Sequence, residues 1–279
     1  PDPRYDLPPD QRFAASLFEK ERTYSGLLLA SVADTLALLG SRGEAHVVSS
    51  GVTAADSAVR AVRELFDAAG RDWRRWAAFQ SVLPSLMEAA PDAVLSALEA
   101  GLAGEGSSPV LGLFGHDTDA LFSSPLHSAL LWALERVAWS PDYLGRAALI
   151  LAELDRRDPG GRYANRPGAS LRDIFLSWRP GTAAPVDVRL AVIDTMRHRE
   201  PEAAWLLMVA LLPRLHDSAM SSARPVWRDW APERDRRYSP RAVDDHAVEI
   251  IGRMLEDAGT SAAHWTTLVA ALDEVPAEA

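Results

Sequence analysis

Three short stretches carry side chains whose types and spacing could do chemistry. In Ala223–Arg241, "ARPVWRDWAPERDRRYSPR", the residues Arg224, Arg228, Arg234, Arg236 and Arg237 alternate with Trp227, Trp230 and Tyr238. Guanidinium groups beside aromatic faces can bind phosphates, nucleic-acid bases or an acidic protein surface. Asp229, Glu233 and Asp235 are interleaved with them, so internal ion pairs across a long connector account for the same residues. In "DPGGRYANRPGASLRDIF" (Asp158–Phe175), paired glycines stand beside Arg162 and Arg166, which raises the question of a phosphate loop. The spacing argues against one: no Lys-Ser or Lys-Thr follows the glycines, and the dinucleotide fingerprint is absent. The segment reads as a connector, with Pro159 and the glycines stopping one helix and Ser170 with Asp173 capping the next. Arg162 and Arg166 stand as candidate anion contacts.

The third stretch, "DDHAVE" (Asp244–Glu249), places Asp245, His246 and Glu249 on nearby turns of one helix. A di-metal carboxylate bundle needs matching motifs on partner helices, and there is only this one, so a solvated face is expected. "GHDTD" sets His116 beside Asp117 and Asp119 and reads as a polar loop. There is no Gly-x-Ser-x-Gly elbow for a serine nucleophile. No metal, no cofactor and no catalytic residue is expected from these patterns.

Composition narrows the classes further. The chain of 279 residues has a formal net charge of −10 and no cysteine, which excludes disulfides and thiolate metal sites. An acidic chain is a poor general binder of nucleic acid, because phosphate contacts need excess positive potential. The longest apolar run, "AAWLLMVALLP" (Ala203–Pro213), is too short for a membrane span of about 20 residues. A cytoplasmic protein is expected. Lys20 is the single lysine, and the abundance of arginine and alanine suggests a GC-rich bacterial genome. "PDPRYDLPPD", with no initiating methionine, reads as a cut inside a longer protein.

The elements that must position these residues are helical by spacing throughout. Helices are expected over Asp10–Glu21, with Phe13, Leu17 and Phe18 on one side, and over Ser25–Leu39. Ala45–Ser50 reads as a short extended piece, and Thr53 with Asp56 as a cap for a helix that ends at Gly70. Helices follow over Asp72–Gln80, Ser81–Ala90, Pro91–Ala103, Leu126–Trp139, Pro141–Arg156, Leu171–Trp178, Pro185–Arg197, Pro201–Leu212, Pro240–Ala258 and Ser261–Val275. Helices open with proline and an acid at Pro91-Asp92, Pro141-Asp142 and Pro201-Glu202. Proline suits the first helical position and the acid favours the positive end of the helix dipole. The recurrence suggests stacked helix hairpins, with 1–103 as an N-terminal helical unit, 104–125 as a flexible connector and 126–279 as a C-terminal helical-repeat unit. Among the nine tryptophans, Trp132 and Trp139 are expected on one face of one helix, and these with Trp178 and Trp205 are expected to pack between helices.

One resemblance bears on function. Trp139-Ser140-Pro141, Asp158-Pro159-Gly160-Gly161, Asn165-Arg166-Pro167 and the Ser170–Trp178 run lie within Leu126–Pro213, about a third of the chain. That region resembles the helical part downstream of the nucleotide-binding part in very large bacterial proteins, including antiviral STAND-type NTPases. The resemblance implies sensing or partner binding, with catalysis on other domains. The fold class expected is all-α: irregular stacked helix hairpins, an α-solenoid of HEAT or TPR kind, in a fragment of a larger protein. The function expected is a non-catalytic recognition or scaffolding module that binds a protein partner, with the aromatic and arginine residues of 224–241 as its site. The alternative is a HEAT-like nucleic-acid module using the same segment.

Overall fold

The computed structural model describes residues 2–49, 51–104, 106, 108–114, 125–161, 163–214, 217–233 and 238–273. Among the described residues the protein is all-α, with one two-stranded hairpin. The helices are α1 (Gly26–Arg42), α2 (Ala54–Ala69), α3 (Trp73–Phe79), α4 (Leu83–Ala89), α5 (Pro91–Leu102), α6 (Ser128–Ala138), α7 (Pro141–Arg156), α8 (Pro167–Phe175), α9 (Val186–Arg199), α10 (Pro201–Leu211), α11 (Pro240–Ala258) and α12 (Ala262–Asp273). The hairpin pairs β1 (Val47–Ser49) with β2 (Val52–Thr53), the extended piece expected near residue 45.

Local signals explain most helix ends. Thr53 and Asp56 form a reciprocal capping box at the start of α2, satisfying two backbone N–H groups that have no partner within the helix. Pro91, Pro141 and Pro201 each occupy a first helical position, where a missing N–H costs nothing. At the start of α8 the cap lies elsewhere than expected. Pro167 opens the helix, and Ser170 sits inside it with its side chain buried. The pyrrolidine ring suits that first turn better than a serine three residues on.

The chain forms two compact units. The first comprises Pro1–Val137, Arg157–Arg166 and Pro225–Asp229, and the second the remainder. This differs from a division at 104–125, because the chain returns to the first unit twice. The expected connector is also partly core: Val110, Leu113 and Phe114 are buried, and the Cβ of Trp73 lies so close to Gly112 that no side chain fits there. Glycines marked the stretch as flexible, but the apolar run between them needs shelter from water. Residues 115–124, with His116, Asp117 and Asp119, lie outside the described residues.

In the first unit α1 packs on α2 and α4, and α2 packs on α5. Phe66, Trp76 and Phe79 meet edge to face, with Phe66 centroids 5.0 and 5.3 Å from the other two. The expected first helix is instead a 3-10 run, Pro9–Phe18, with non-helical angles at Ala14. It has no side-chain cap, and Phe13, Leu17 and Phe18, expected on one side, are all exposed. In the second unit α10 packs on α7, α8, α9 and α11, and α12 on α11.

Two close contacts fix the first unit. The Glu88 carboxylate at the end of α4 is fully buried and accepts hydrogen bonds from the backbone N–H groups of Val226 (2.9 Å), Trp227 (2.6 Å) and Arg228 (3.2 Å). Arg136 adds a charged donor at 2.9 Å. Arg228 then donates to the carbonyls of Glu88 and Gly40, both at 2.8 Å. Gly40 is the second contact: a Cβ there would lie 2.0 Å from the Ala89 carbonyl oxygen, so α1 and α4 approach this closely only at glycine. Replacing Glu88 by Gln keeps the shape but leaves Arg136 as an unpaired, largely buried charge. A loss of about 3–5 kcal/mol is expected in urea unfolding. Gly40→Ala forces the two helices apart and is expected to cost about 1–3 kcal/mol by the same measurement. Midpoints within error of wild type would show that neither contact holds the unit.

Candidate functional site

The described part of the arginine-rich segment is folded onto the protein. Trp227 and Arg228 are held at Glu88 in the first unit, and both are half-buried. In the second unit Arg224 lies 4.6 Å over the Trp139 ring and donates to the Pro232 carbonyl, and Trp230 meets Tyr143 edge-on at 5.9 Å. Tyr238 lies under the guanidinium of Arg189, 5.5 Å from its ring centre. Backbone and ring contacts within the fold thus occupy Arg224, Trp227, Arg228, Trp230 and Tyr238. Arg234, Arg236 and Arg237 lie outside the described residues.

The glycine-rich segment behaves as a connector. Asp158 accepts from the Gly160 N–H at 3.0 Å, and Gly160 has a φ of 75°, the left-handed region that glycine enters without strain. Arg157 caps the end of α5 through the carbonyls of Leu102 (2.8 Å) and Gly104 (3.2 Å). Arg166 pairs with Asp158 at 3.4 Å, and its neighbour Asn165 offers its carbonyl to the buried ring of His127 at 3.0 Å. An anion at Arg166 would have to displace Asp158. Arg162 lies outside the described residues.

The Asp244–Glu249 stretch splits rather than converging. Asp245 and Glu249 are exposed, whereas His246 is only 2% exposed. Glu249 instead pairs with Arg253 at 2.9 Å in a network joining α9 to α11. There Asp194 accepts from Arg197 (2.9 Å) and Arg253 (2.8 Å), and Arg197 also meets Glu256 and Asp257. Among the described residues, no three histidine or carboxylate groups come together as a metal site would require. The tryptophans also divide: Trp139 and Trp205 are buried, the latter stacked on His264 at 4.1 Å, while Trp132 is half exposed.

Two features were not foreseen from the sequence. The first is the outer face of α1. On it Leu28, Ser31, Thr35, Leu38 and Arg42 are all exposed and repeat at intervals of 3, 4, 3 and 4 residues. That is the a/d spacing of a helix seam. Tyr24, also exposed, lies just before the N-cap Ser25. Leu27 is 77% exposed and Val32 50% beside it. The Ser31 and Thr35 hydroxyls donate to the carbonyls of Leu27 (2.9 Å) and Ser31 (2.8 Å), so the polar groups of the stripe are satisfied within the helix. The spacing was visible, but leucines also stand at 29, 36 and 39, and sequence alone could not say which side meets the core.

The second feature is a buried pair in the second unit, Arg189 on α9, which nothing marked, and His246 on α11, which the sequence marked but placed on a solvated face. Arg189 is fully buried; its Nη1 donates to the Leu176 carbonyl at 3.2 Å, at the end of α8. Its Nε and Nη2, and both ring nitrogens of His246, have no hydrogen-bond partner among the described residues. Nothing local in "DVRLAV" or "DDHAVE" distinguishes these two from exposed polar residues, so only the packing reveals them.

No protein-family model matches the chain. No curated protein and no solved structure matches it either. The functional reading therefore rests on the chain's own geometry.

Burial, then Arg189 and Arg253, push the His246 pKa down from 6.5 to about 4, against a small opposing pull from Glu249. An unfolded chain takes up this proton near pH 6.5 and the folded chain only near pH 4. The unfolded state binds more protons between those values, so stability is lost as pH falls through the window and is unaffected above it. The full loss is about 3 kcal/mol. In urea unfolding at pH 7.5, 6, 5 and 4, His246→Phe is expected to remove that part of the acid sensitivity. Identical pH dependence in wild type and variant would place the titrating group elsewhere.

Proposed function

We propose that the chain is a non-catalytic helical module that works by associating with another protein chain, through the exposed face of α1. The observation that carries this reading is the uncharged, exposed seam from Leu28 to Leu38, which has its hydroxyls satisfied internally and is left uncovered by the described residues. With Leu27, Val32, Tyr24 and Arg42 it offers on the order of 700 Å² per chain, close to the roughly 800 Å² that one side of a standard interface buries. A nucleic-acid ligand would want arginines at such a face. Arg224 and Arg228 are instead engaged within the fold, which favours the protein partner over the nucleic-acid alternative.

The occupant that fits the seam is a second copy of the chain. Antiparallel packing about a two-fold axis midway between Ser31 and Thr35 brings Leu28 against Leu38 of the other copy and Ser31 against Thr35. It also brings Tyr24 against Arg42. Each pairing recurs on the other side of the axis, as an isologous interface requires. The small residues lie at the crossing point, where they let backbones approach, and the leucines flank them. At each end the Arg42 guanidinium, which pairs with Asp229 of its own chain at 3.0 Å, still offers a face to Tyr24 of the other copy. The uncharged centre keeps the formal charge of −10 on each chain away from the axis. In this reading the chain is a recognition and scaffolding element of a larger bacterial assembly, and a stacked-hairpin solenoid is the architecture that would suit such a role.

Sedimentation of the full chain tests the pairing. A monomer–dimer equilibrium is expected between about 1 and 100 µM, weakened about 100-fold by Leu28→Asp with Leu38→Asp. The chain has no cysteine, so crosslinking reports register cleanly. A mixture of Ser31→Cys and Thr35→Cys chains should form the mixed disulfide faster than either variant alone. A monomer at every concentration, with no preference for the mixed crosslink, excludes the second copy as occupant.

A further inference from the structure

The buried pair of Arg189 and His246 carries an inference independent of the association face. A guanidinium taken out of water normally finds a carboxylate, because an uncompensated buried charge is among the most costly groups a fold can hold. Among the described residues Arg189 has none. Burial pulls its pKa below the usual arginine value, against an opposing pull from the Tyr238 hydroxyl group. Only half of its donor set is used. Nη1 points at the α8 terminus, where the Leu176 carbonyl (3.2 Å) and the more distant Phe175 carbonyl (3.5 Å) take it. That is a helix cap and suits the negative end of the helix dipole. It leaves Nε and Nη2, the two donors on one edge of the plane, without partners.

That edge has a defined chemistry. Two parallel N–H groups match the two oxygens of a carboxylate, the bidentate geometry that makes arginine a specific carboxylate ligand. His246 lies within electrostatic reach of Arg189, and both of its ring nitrogens also lack partners. A neutral imidazole offers one donor and one acceptor, so it can add one hydrogen bond to a bound oxygen. The neighbouring positions on the two helices are apolar: Ile193, one turn beyond Arg189, and Ile250, one turn beyond His246, are both buried, and the Tyr238 ring centre lies 5.5 Å from the guanidinium.

We propose that Arg189 and His246 form a buried site for a small monocarboxylate, held by the Nε–Nη2 edge of Arg189 and one hydrogen bond from His246. Charge balance selects the class. The site supplies one positive charge, so a monoanion neutralises it, whereas a doubly charged phosphate or sulfate would leave a net negative charge in an apolar interior. The groups acting on His246 from α9 and from its own helix are Arg189, Arg253 and Glu249. Arg253 and Glu249 are already paired, with Asp194 and with each other respectively, and so do not supply the counter-charge.

Acetate and formate are the probes, with the full chain held at constant ionic strength by exchange against chloride. The unfolding midpoint should rise with acetate, in proportion to the logarithm of its concentration once that exceeds the dissociation constant, as binding to the folded state alone requires. Sulfate and phosphate should not reproduce the rise. Arg189→Met should bind acetate at least about tenfold more weakly while remaining as stable as wild type in chloride, since it removes a lone buried charge. Should that variant not fold, the ring resonances of His246 in the wild-type chain give a second readout. They should move saturably with acetate and not with sulfate, in step with the midpoint. The inference is overturned if acetate, chloride and sulfate act alike on both readouts, or if Arg189→Met responds to acetate as wild type does.

Discussion

A carboxylate shut away from water must be surrounded by donors or be given up, and Glu88 is surrounded. Three successive backbone N–H groups, those of Val226, Trp227 and Arg228, converge on it together with Arg136. Such an arrangement resembles an anion nest, with the protein's own side chain as the anion. Much of the first unit follows from it. It draws residues 225–229 into the unit, brings the Arg228 guanidinium onto the carbonyls of Gly40 and Glu88, and so closes the ends of α1 and α4. With the inner side of α1 pressed on α4 at Gly40, the seam from Tyr24 to Arg42 is the side left outward. The proposed association face is thus a by-product of how the opposite face of the same helix is secured.

Charge is handled in three ways in this molecule. At Glu88 it is buried and saturated. Between α9 and α11 it is shared among Asp194, Arg197, Glu249, Arg253, Glu256 and Asp257 near the surface, where solvent screening leaves each pair worth little and the network sets register more than strength. At Arg189 it is buried and only half served. The contrast between the first and third is what makes the third informative. A chain that supplies four donors to one buried acid has left Nε and Nη2 of a buried base without an acceptor among the described residues.

How much of this was legible in the sequence follows from the range of each interaction. Helix starts depend on one or two residues, so Pro91, Pro141, Pro201 and the Thr53–Asp56 box were read correctly. The extended piece before Thr53 was legible for the same reason. Burial depends on residues far apart. Nothing near Glu88 announces that its partners lie about 138 residues on, and the "DDHAVE" motif gives no hint that His246 turns inward while Asp245 turns out. Phe13 and Leu17 had the spacing of a core face, yet their segment winds as a 3-10 run in which that spacing no longer selects one side. The arginine-rich stretch was chosen for its composition. The structure puts Arg224, Trp227, Arg228, Trp230 and Tyr238 in contacts internal to the fold, which composition cannot distinguish from a binding surface.

The return of residues 225–229 to Glu88 also bears on the order of events as the chain is made. Synthesis runs from the N-terminus, and domains tend to fold as they emerge. The helices of the first unit before residue 137 leave the ribosome long before Val226 does. Until then the Glu88 carboxylate has Arg136 but none of its three backbone donors, and the ends of α1 and α4 lack Arg228. The nascent first unit must therefore wait, incompletely closed and with the hydrophobic seam of α1 already exposed, while most of the second unit is translated. A sequence-distant closure of this kind comes after the local helix packing around it, because its loop must close before the contact is gained.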